Sequence, residues 1–180
     1  MIHFIILAAG KSERFKKKKN KLSKQFFKVN GVSPLEHLMK SVSNNQLINS
    51  ITLVINKGDR SEILGLKKKY HKLNTIINGG ITRQQSAFIA LKSIRKKRVK
   101  TKNDIVLIHD AARPFVSRDL ITQCLDALNQ FDAVSPVIPV KETIFETVKG
   151  EVISIPDRTK YVRAQTPQGF RLETIKAAHE

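Results

Sequence analysis

An α/β fold, an open and mostly parallel sheet with helices on both faces, is what this 180-residue sequence predicts. Three observations carry that expectation. Short apolar runs without polar alternation recur along the chain, as in strands buried on both faces. Segments with helical apolar spacing and capping signals lie between them. The two kinds of segment alternate from the N-terminus to about residue 140, which is the order of a parallel sheet with crossover helices.

Ile2 to Leu7 is the first buried strand. Ser33-Pro34-Leu35-Glu36 combines a capping box with proline at the first helical position, and Leu35, Leu38, Met39 and Val42 follow on one face. Ile51 to Ile55 reads as the second strand, and Asp59 with Glu62 as the cap of a second helix. Thr75 to Ile77 is a third strand ending at Gly79-Gly80, and Thr82 with Gln85 forms another capping box, opening a helix that carries Ala87, Ala90, Leu91 and Ile94. Ile105 to Ile108 is the next buried strand. Ser117 caps a helix that places Cys124 on its apolar face with Ile121, Leu125 and Leu128, so this lone thiol reads as core. Ala133 to Val140 is strand-like despite two prolines.

The alternation then stops. Thr143 to Val148 and Glu151 to Ile155 are β-rich and joined by Lys149-Gly150, which predicts a protruding antiparallel hairpin arm over about 141–163. A final helix starts at Leu172 and meets the last residue without a stop signal, so the expectation is a chain lacking its C-terminal segment. With no repeat and no low-complexity linker, residues 1–180 read as a single domain.

Lys and Arg number 33 against 15 Asp and Glu, a formal charge of +18. Such a balance suits nucleic acid, an anionic surface or a phosphorylated small substrate. The basic clusters Lys16 to Lys19, Lys67 to Lys69 and Arg95 to Arg98 do not interleave with aromatic residues, so no specific nucleic-acid partner is expected. The longest apolar stretch, Phe4 to Ala9, is far short of the ~20 residues of a membrane span, and no basic segment precedes it as in a signal peptide. A cytoplasmic protein with no membrane partner is expected.

Gly10-Lys11-Ser12 after a buried strand invites a P-loop reading, but Ile5 stands where that motif needs its first glycine. What remains is a small-residue turn, Ala8-Ala9-Gly10, followed by the cations Lys11, Arg14 and Lys24. This is either a tight turn or a place where a ligand lies against backbone while cations neutralise a triphosphate. His109-Asp110-Ala111-Ala112-Arg113-Pro114 ends another strand at the same edge. Asp110 there either holds Mg²⁺ against phosphate oxygens or pairs with Arg113 in a turn, and His109 reads as a hydrogen-bonded strand-end residue. Gly79-Gly80 ahead of Arg83 offers a further backbone approach for a nucleotide.

In chain order, Leu7-Ala8-Ala9-Gly10 with Arg14, Lys24-Gln25, Gly79-Gly80 with Arg83 and Ser86, His109 to Phe115, Lys141-Glu142-Thr143, Asp157-Arg158 and Gln165-Thr166-Pro167-Gln168 carry a resemblance. Together they resemble the 2-C-methyl-D-erythritol 4-phosphate cytidylyltransferases of non-mevalonate isoprenoid biosynthesis, over nearly the whole chain. The resemblance implies a Rossmann-like nucleotidyltransferase fold that joins CTP and methylerythritol phosphate with Mg²⁺ and releases pyrophosphate. It makes Arg14 and Lys24 the catalytic cations at the α-phosphate. Ala8, Ala9, Gly10, Gly80, Arg83 and Ser86 line the CTP site, Ser86 reading cytosine. Asp110 serves metal and substrate, and Thr143, Arg158 and Thr166 bind methylerythritol phosphate. The arm crosses to a second subunit in that family, which implies a homodimer. The family also continues past the point matching Glu180, and bifunctional members carry a cyclodiphosphate synthase domain downstream. Ribitol-5-phosphate cytidylyltransferase, an inactive fragment and a basic nucleic-acid-binding module are the alternatives.

Overall fold

The computed structural model describes residues 1–10, 12, 15, 23–94 and 104–179. Strands β1 (Ile2–Ala8), β2 (Ser50–Ile55), β3 (Leu73–Asn78) and β4 (Ile105–Asp110) form a parallel array. The remaining strands are β5 (Ala133–Val134), β6 (Val137–Pro139), β7 (Glu146–Val148), β8 (Glu151–Ser154), β9 (Val162–Ala164) and β10 (Gln168–Arg171). The main sheet has the order β3-β2-β1-β4-β10-β5, with β10 antiparallel to both neighbours. Its order reverses between β1 and β4, and a doubly wound sheet opens a crevice at the carboxyl ends of such a strand pair.

Both faces of the sheet are covered. Helices α1 (Pro34–Asn44), α2 (Leu66–Lys69), α3 (Arg83–Ser93), α4 (Arg118–Ala127) and α5 (Leu172–Ala177) complete the fold. Phe4 and Ile6 of β1 join Leu53, Leu107 and the apolar stripes of α1 and α4 in one core. Ile5 joins Val54, Val106, Ile108 and the Ala87, Ala90, Leu91 stripe of α3 in the other. Alternate residues of β1 thus face opposite cores, which is why the strand reads as an unbroken apolar run.

Local signals place several elements as expected. Ser33 and Glu36 form a reciprocal capping box on α1, and Ser117 caps α4 through Leu120 N–H. Cys124 is buried in the first core, where burial raises its thiol pKa. Lys149 and Gly150 have φ of 51° and 91°, the left-handed pair that a two-residue hairpin turn requires between β7 and β8.

Other expectations are corrected. The second helix does not start at Asp59: Asn56 caps a 3₁₀ helix over Lys57–Ile63, and α2 follows only after Gly65. Asp59 instead accepts hydrogen bonds from the Ser23 hydroxyl. Thr82 caps α3 through Gln85 N–H, but the Gln85 side chain accepts from Ile81 N–H, so the box is not closed. Ala133 to Val140 is two strands, because the chain leaves the main sheet after Val134 and pairs β6 with β9. In chain order that pair encloses the β7–β8 hairpin, so the paired strands outside the main sheet begin before residue 141. No helix among the described residues is long and apolar enough to cross a membrane.

One consequence concerns acid stability. His3 is largely buried in β1, its Nδ1 2.7 Å from Ser50 Oγ. Burial lowers its pKa below 6.5, opposed in part by the Asp104 carboxylate. The unfolded chain therefore binds this proton more readily. Stability from His3 is complete above about pH 6.5 and declines as the pH falls through the folded pKa. The melting temperature is expected to drop between pH 7 and pH 5, with a shallower drop in His3→Gln. An unchanged slope in that variant would exclude His3 as a source.

Candidate active site

A cleft of about 780 Å³ opens where β1 and β4 end. Leu7 and Asp110 are register partners across the two strands, so the small-residue turn after β1 and the aspartate ending β4 reach the same edge by sheet pairing alone. The third wall is the Gly79-Gly80 segment after β3, continuing into the N-terminus of α3.

The walls meet closely. A Cβ added to Gly79 would lie 2.5 Å from Ala9 Cβ and 2.7 Å from Ser86 Oγ, so the turn after β1 packs directly on this glycine. Ser86, 4% exposed, accepts from Gly80 N–H at 3.1 Å and donates to Thr82 C=O at 2.9 Å. Its hydroxyl shapes the glycine loop as well as lining the cleft.

The charged floor centres on Asp110. Arg83 Nε donates to Asp110 Oδ1 at 3.0 Å, and Arg113 Nε lies 3.4 Å from Oδ2. Each guanidinium is also held by a glutamine of the segment before and within β10: Arg83 donates to Gln168 Oε1 and Arg113 to Gln165 Oε1. The turn pairing of Asp110 with Arg113 and its position facing the cleft therefore coexist. His109 is 2% exposed, bonds Arg113 C=O through Nε2 at 2.8 Å, and is pushed below the usual imidazole pKa by burial. It is a strand-end support, as the sequence suggests.

Lys24 lines the opposite side. It sits in a turn between buried Ser23 and buried Gln25, and Gln25 Nε2 donates to Ala8 C=O at 2.6 Å.

Ala8, Ala9, Gly10, Lys24, Gly80, Arg83, Ser86 and Asp110 are thus brought to one cleft. Arg14 lies outside the described residues, as do Lys11 and the clusters Lys16 to Lys19 and Arg95 to Arg98. Thr143, Arg158 and Thr166 do not line the cleft. Thr143 and Arg158 are exposed at the arm, where Arg158 donates to Lys141 C=O at 2.6 Å. Thr166, between the two glutamines in sequence, is buried, and its hydroxyl has no hydrogen-bond partner among the described residues. Sequence reasoning passed over Arg113 as a cleft cation and Gln25, Gln165 and Gln168 as supports. Arg113 was visible as the second charge of its strand-end segment; the glutamines stand in segments that carry the family resemblance, but no local pattern gives them a supporting role.

Asp110 is the one carboxylate lining the cleft among the described residues, and no cluster of three metal-ligating side chains occurs among them. Mg²⁺ beside nucleotides commonly uses one or two carboxylates, phosphate oxygens and water. Asp110 fits a metal shared with a bound triphosphate, and does not fit one held by protein alone.

A family model described as 2-C-methyl-D-erythritol 4-phosphate cytidylyltransferase matches residues 2–180. A relative of that name from Bacillus licheniformis is 36% identical over 177 residues, 97% of this chain and 73% of its own length. A bifunctional ribulose 5-phosphate reductase/CDP-ribitol pyrophosphorylase from Haemophilus influenzae is 34% identical over 161 residues, 87% of this chain and 33% of its own. Among solved structures, 4-diphosphocytidyl-2C-methyl-D-erythritol synthase from Anaerococcus prevotii superposes with a TM-score of 0.80 at 31% identity, covering 98% of this chain and 72% of that one.

The contact at Gly79 generates a prediction. Gly79→Ala forces Ala9 or Ser86 to move, at a cost of about 1–3 kcal/mol for overpacking. A lower melting temperature together with weaker nucleotide binding by calorimetry is expected. Unchanged binding would mean that the turn after β1 does not set the nucleotide wall.

Proposed function

Because the chain belongs to the 2-C-methyl-D-erythritol 4-phosphate cytidylyltransferase family, we propose that it joins CTP to 2-C-methyl-D-erythritol 4-phosphate and releases pyrophosphate. One observation supports this above the others: at the carboxyl ends of β1 and β4, small-residue turns share a cleft with Lys24, Arg83 and Arg113 and, among the described residues, a single carboxylate.

A phosphate oxygen of the acceptor attacks the α-phosphorus of CTP. The new P–O bond forms, the bond to the α–β bridging oxygen breaks, and pyrophosphate leaves with that electron pair. The acceptor is already an anion, so no general base is needed. The demand is alignment and neutralisation of charge on the α-phosphate and leaving group.

The turns Ala8–Gly10 and Gly79–Gly80 let the nucleotide lie against backbone. Arg83 and Arg113 exchange the Asp110 carboxylate for phosphate oxygens, which their half-exposed state makes inexpensive, since exposed pairs contribute only about 0–1 kcal/mol. Asp110 is then free toward Mg²⁺, which would supply further neutralisation of phosphate charge when bound. Lys24 and Arg14 act at the α-phosphate, where charge grows.

Thr143, Arg158 and Thr166 bind the acceptor. Phe145, Val148, Val152 and Ile153 on the arm are each more than half exposed, which supports an arm that is covered by a second copy in a cytoplasmic homodimer. A ribitol 5-phosphate acceptor is the second reading, favoured by the CDP-ribitol pyrophosphorylase relative.

Pyrophosphate release with each alcohol phosphate separates the two readings. Methylerythritol phosphate and CTP with Mg²⁺ are expected to give turnover, while ribitol 5-phosphate, ATP or GTP give little. Equal rates with both alcohols would remove the substrate assignment. In the same assay, Lys24→Ala is expected to lower kcat by roughly 10²-fold with a smaller change in KM for CTP. A rise in KM alone would make Lys24 a ground-state binder.

The dimer has its own measurement. Arg158→Ala is expected to impair use of methylerythritol phosphate while leaving CTP affinity nearly unchanged. If the arm serves a partner's cleft, mixed dimers of Arg158→Ala and Asp110→Ala contain one intact site and regain part of the activity. No recovery in verified mixed dimers would confine each site to one chain.

A further inference from the structure

Lys24 is a long, flexible cation asked to meet charge at one atom, and an exposed lysine alone is poorly fixed for that task. The structure holds its backbone from both sides. Ser23, fully buried, donates its hydroxyl to the Asp59 carboxylate at 3.3 Å. Gln25, 2% exposed, donates to Ala8 C=O at 2.6 Å, and its own C=O accepts from Leu35 N–H at 3.0 Å at the start of α1. Ser12 closes the arrangement: its hydroxyl donates to Gln25 Oε1 at 3.3 Å and accepts from Lys24 N–H at 3.2 Å.

The side chain of Gln25 therefore touches the wall after β1 at one end and, through Ser12, the Lys24 backbone at the other. Ala8 C=O is a buried acceptor at the end of β1, where an apolar residue at position 25 would leave it unpaired.

Resting on the assignment of Lys24 as a cation of the transfer, we propose that Gln25, acting with Ser12, is a positioning residue. It locks the Cα of Lys24 to the nucleotide-facing end of β1, so that wall and cation keep one separation. Gln25 itself does not touch substrate.

A double-mutant cycle tests this. Gln25→Met keeps the volume and removes the amide; kcat, KM for CTP and melting temperature are measured for it in the wild-type and Lys24→Ala backgrounds. Alone, it is expected to lower kcat about tenfold with KM changed by less than roughly threefold, the pattern of a misplaced group. In the Lys24→Ala background the further loss is expected to be under roughly twofold, because no cation remains to misplace. Ser12→Ala, at a less buried position, should show the same coupling with a smaller loss and covers the case in which Gln25→Met does not fold. Equal losses in both backgrounds, or undiminished kcat in both single variants, overturn the positioning role alone. Undiminished turnover in Lys24→Ala overturns the role of Lys24 and this proposal with it.

Discussion

Because the middle of β1 is buried between two cores and paired on both edges, the groups that line the cleft gather where the strand ends. Its side chains are committed alternately to two cores, and its backbone to β2 and β4. Only the residues after Ala8 are free to take small side chains and face solvent. Parallel pairing with β4 then delivers Asp110 to the same edge, and pairing of β2 with β3 delivers the glycine loop. The cleft is a product of the sheet before it is a product of any one side chain.

Within that cleft the charges are arranged to be exchanged. One carboxylate sits between two guanidiniums, each of which also touches a glutamine from the far end of the chain. Pairs this exposed are cheap to open, and a polyphosphate offers the arginines more negative charge than one carboxylate does. The arrangement keeps cations at the floor in the absence of ligand. In the proposed reaction the same exchange would leave the carboxylate free once phosphate is bound.

Support for these groups comes from places distant in sequence. Gln25 holds Ala8, Asp59 holds Ser23, and β10 returns from beyond the arm to insert antiparallel beside β4, bringing Gln165 and Gln168 to the arginines. Insertion of β10 also separates β4 from β5, so the arm leaves and re-enters the domain next to the cleft.

The sequence alone determined what depends on local chemistry. The unbroken apolar run of Ile2 to Leu7, the capping box at Ser33 and Glu36, the cap at Ser117 and the Lys149-Gly150 turn each have a cause within a few residues, and each stands where the pattern puts it. That Ala8 to Gly10 and Asp110 meet at one edge of the sheet was legible because strand ends are predictable once strands are. Tertiary structure decided the rest: that Asp59 bonds Ser23 rather than capping a helix, that Ala133 to Val140 divides between two sheets, that β10 enters between β4 and β5, that Gln165 and Gln168 hold the two arginines, and that Gln25 holds the Ala8 carbonyl. Those outcomes rest on partners from 23 to 85 residues away, or on which buried acceptor an amide happens to meet. Such pairings leave no periodicity in a single sequence, because the energy that selects them exists only after the sheet has formed.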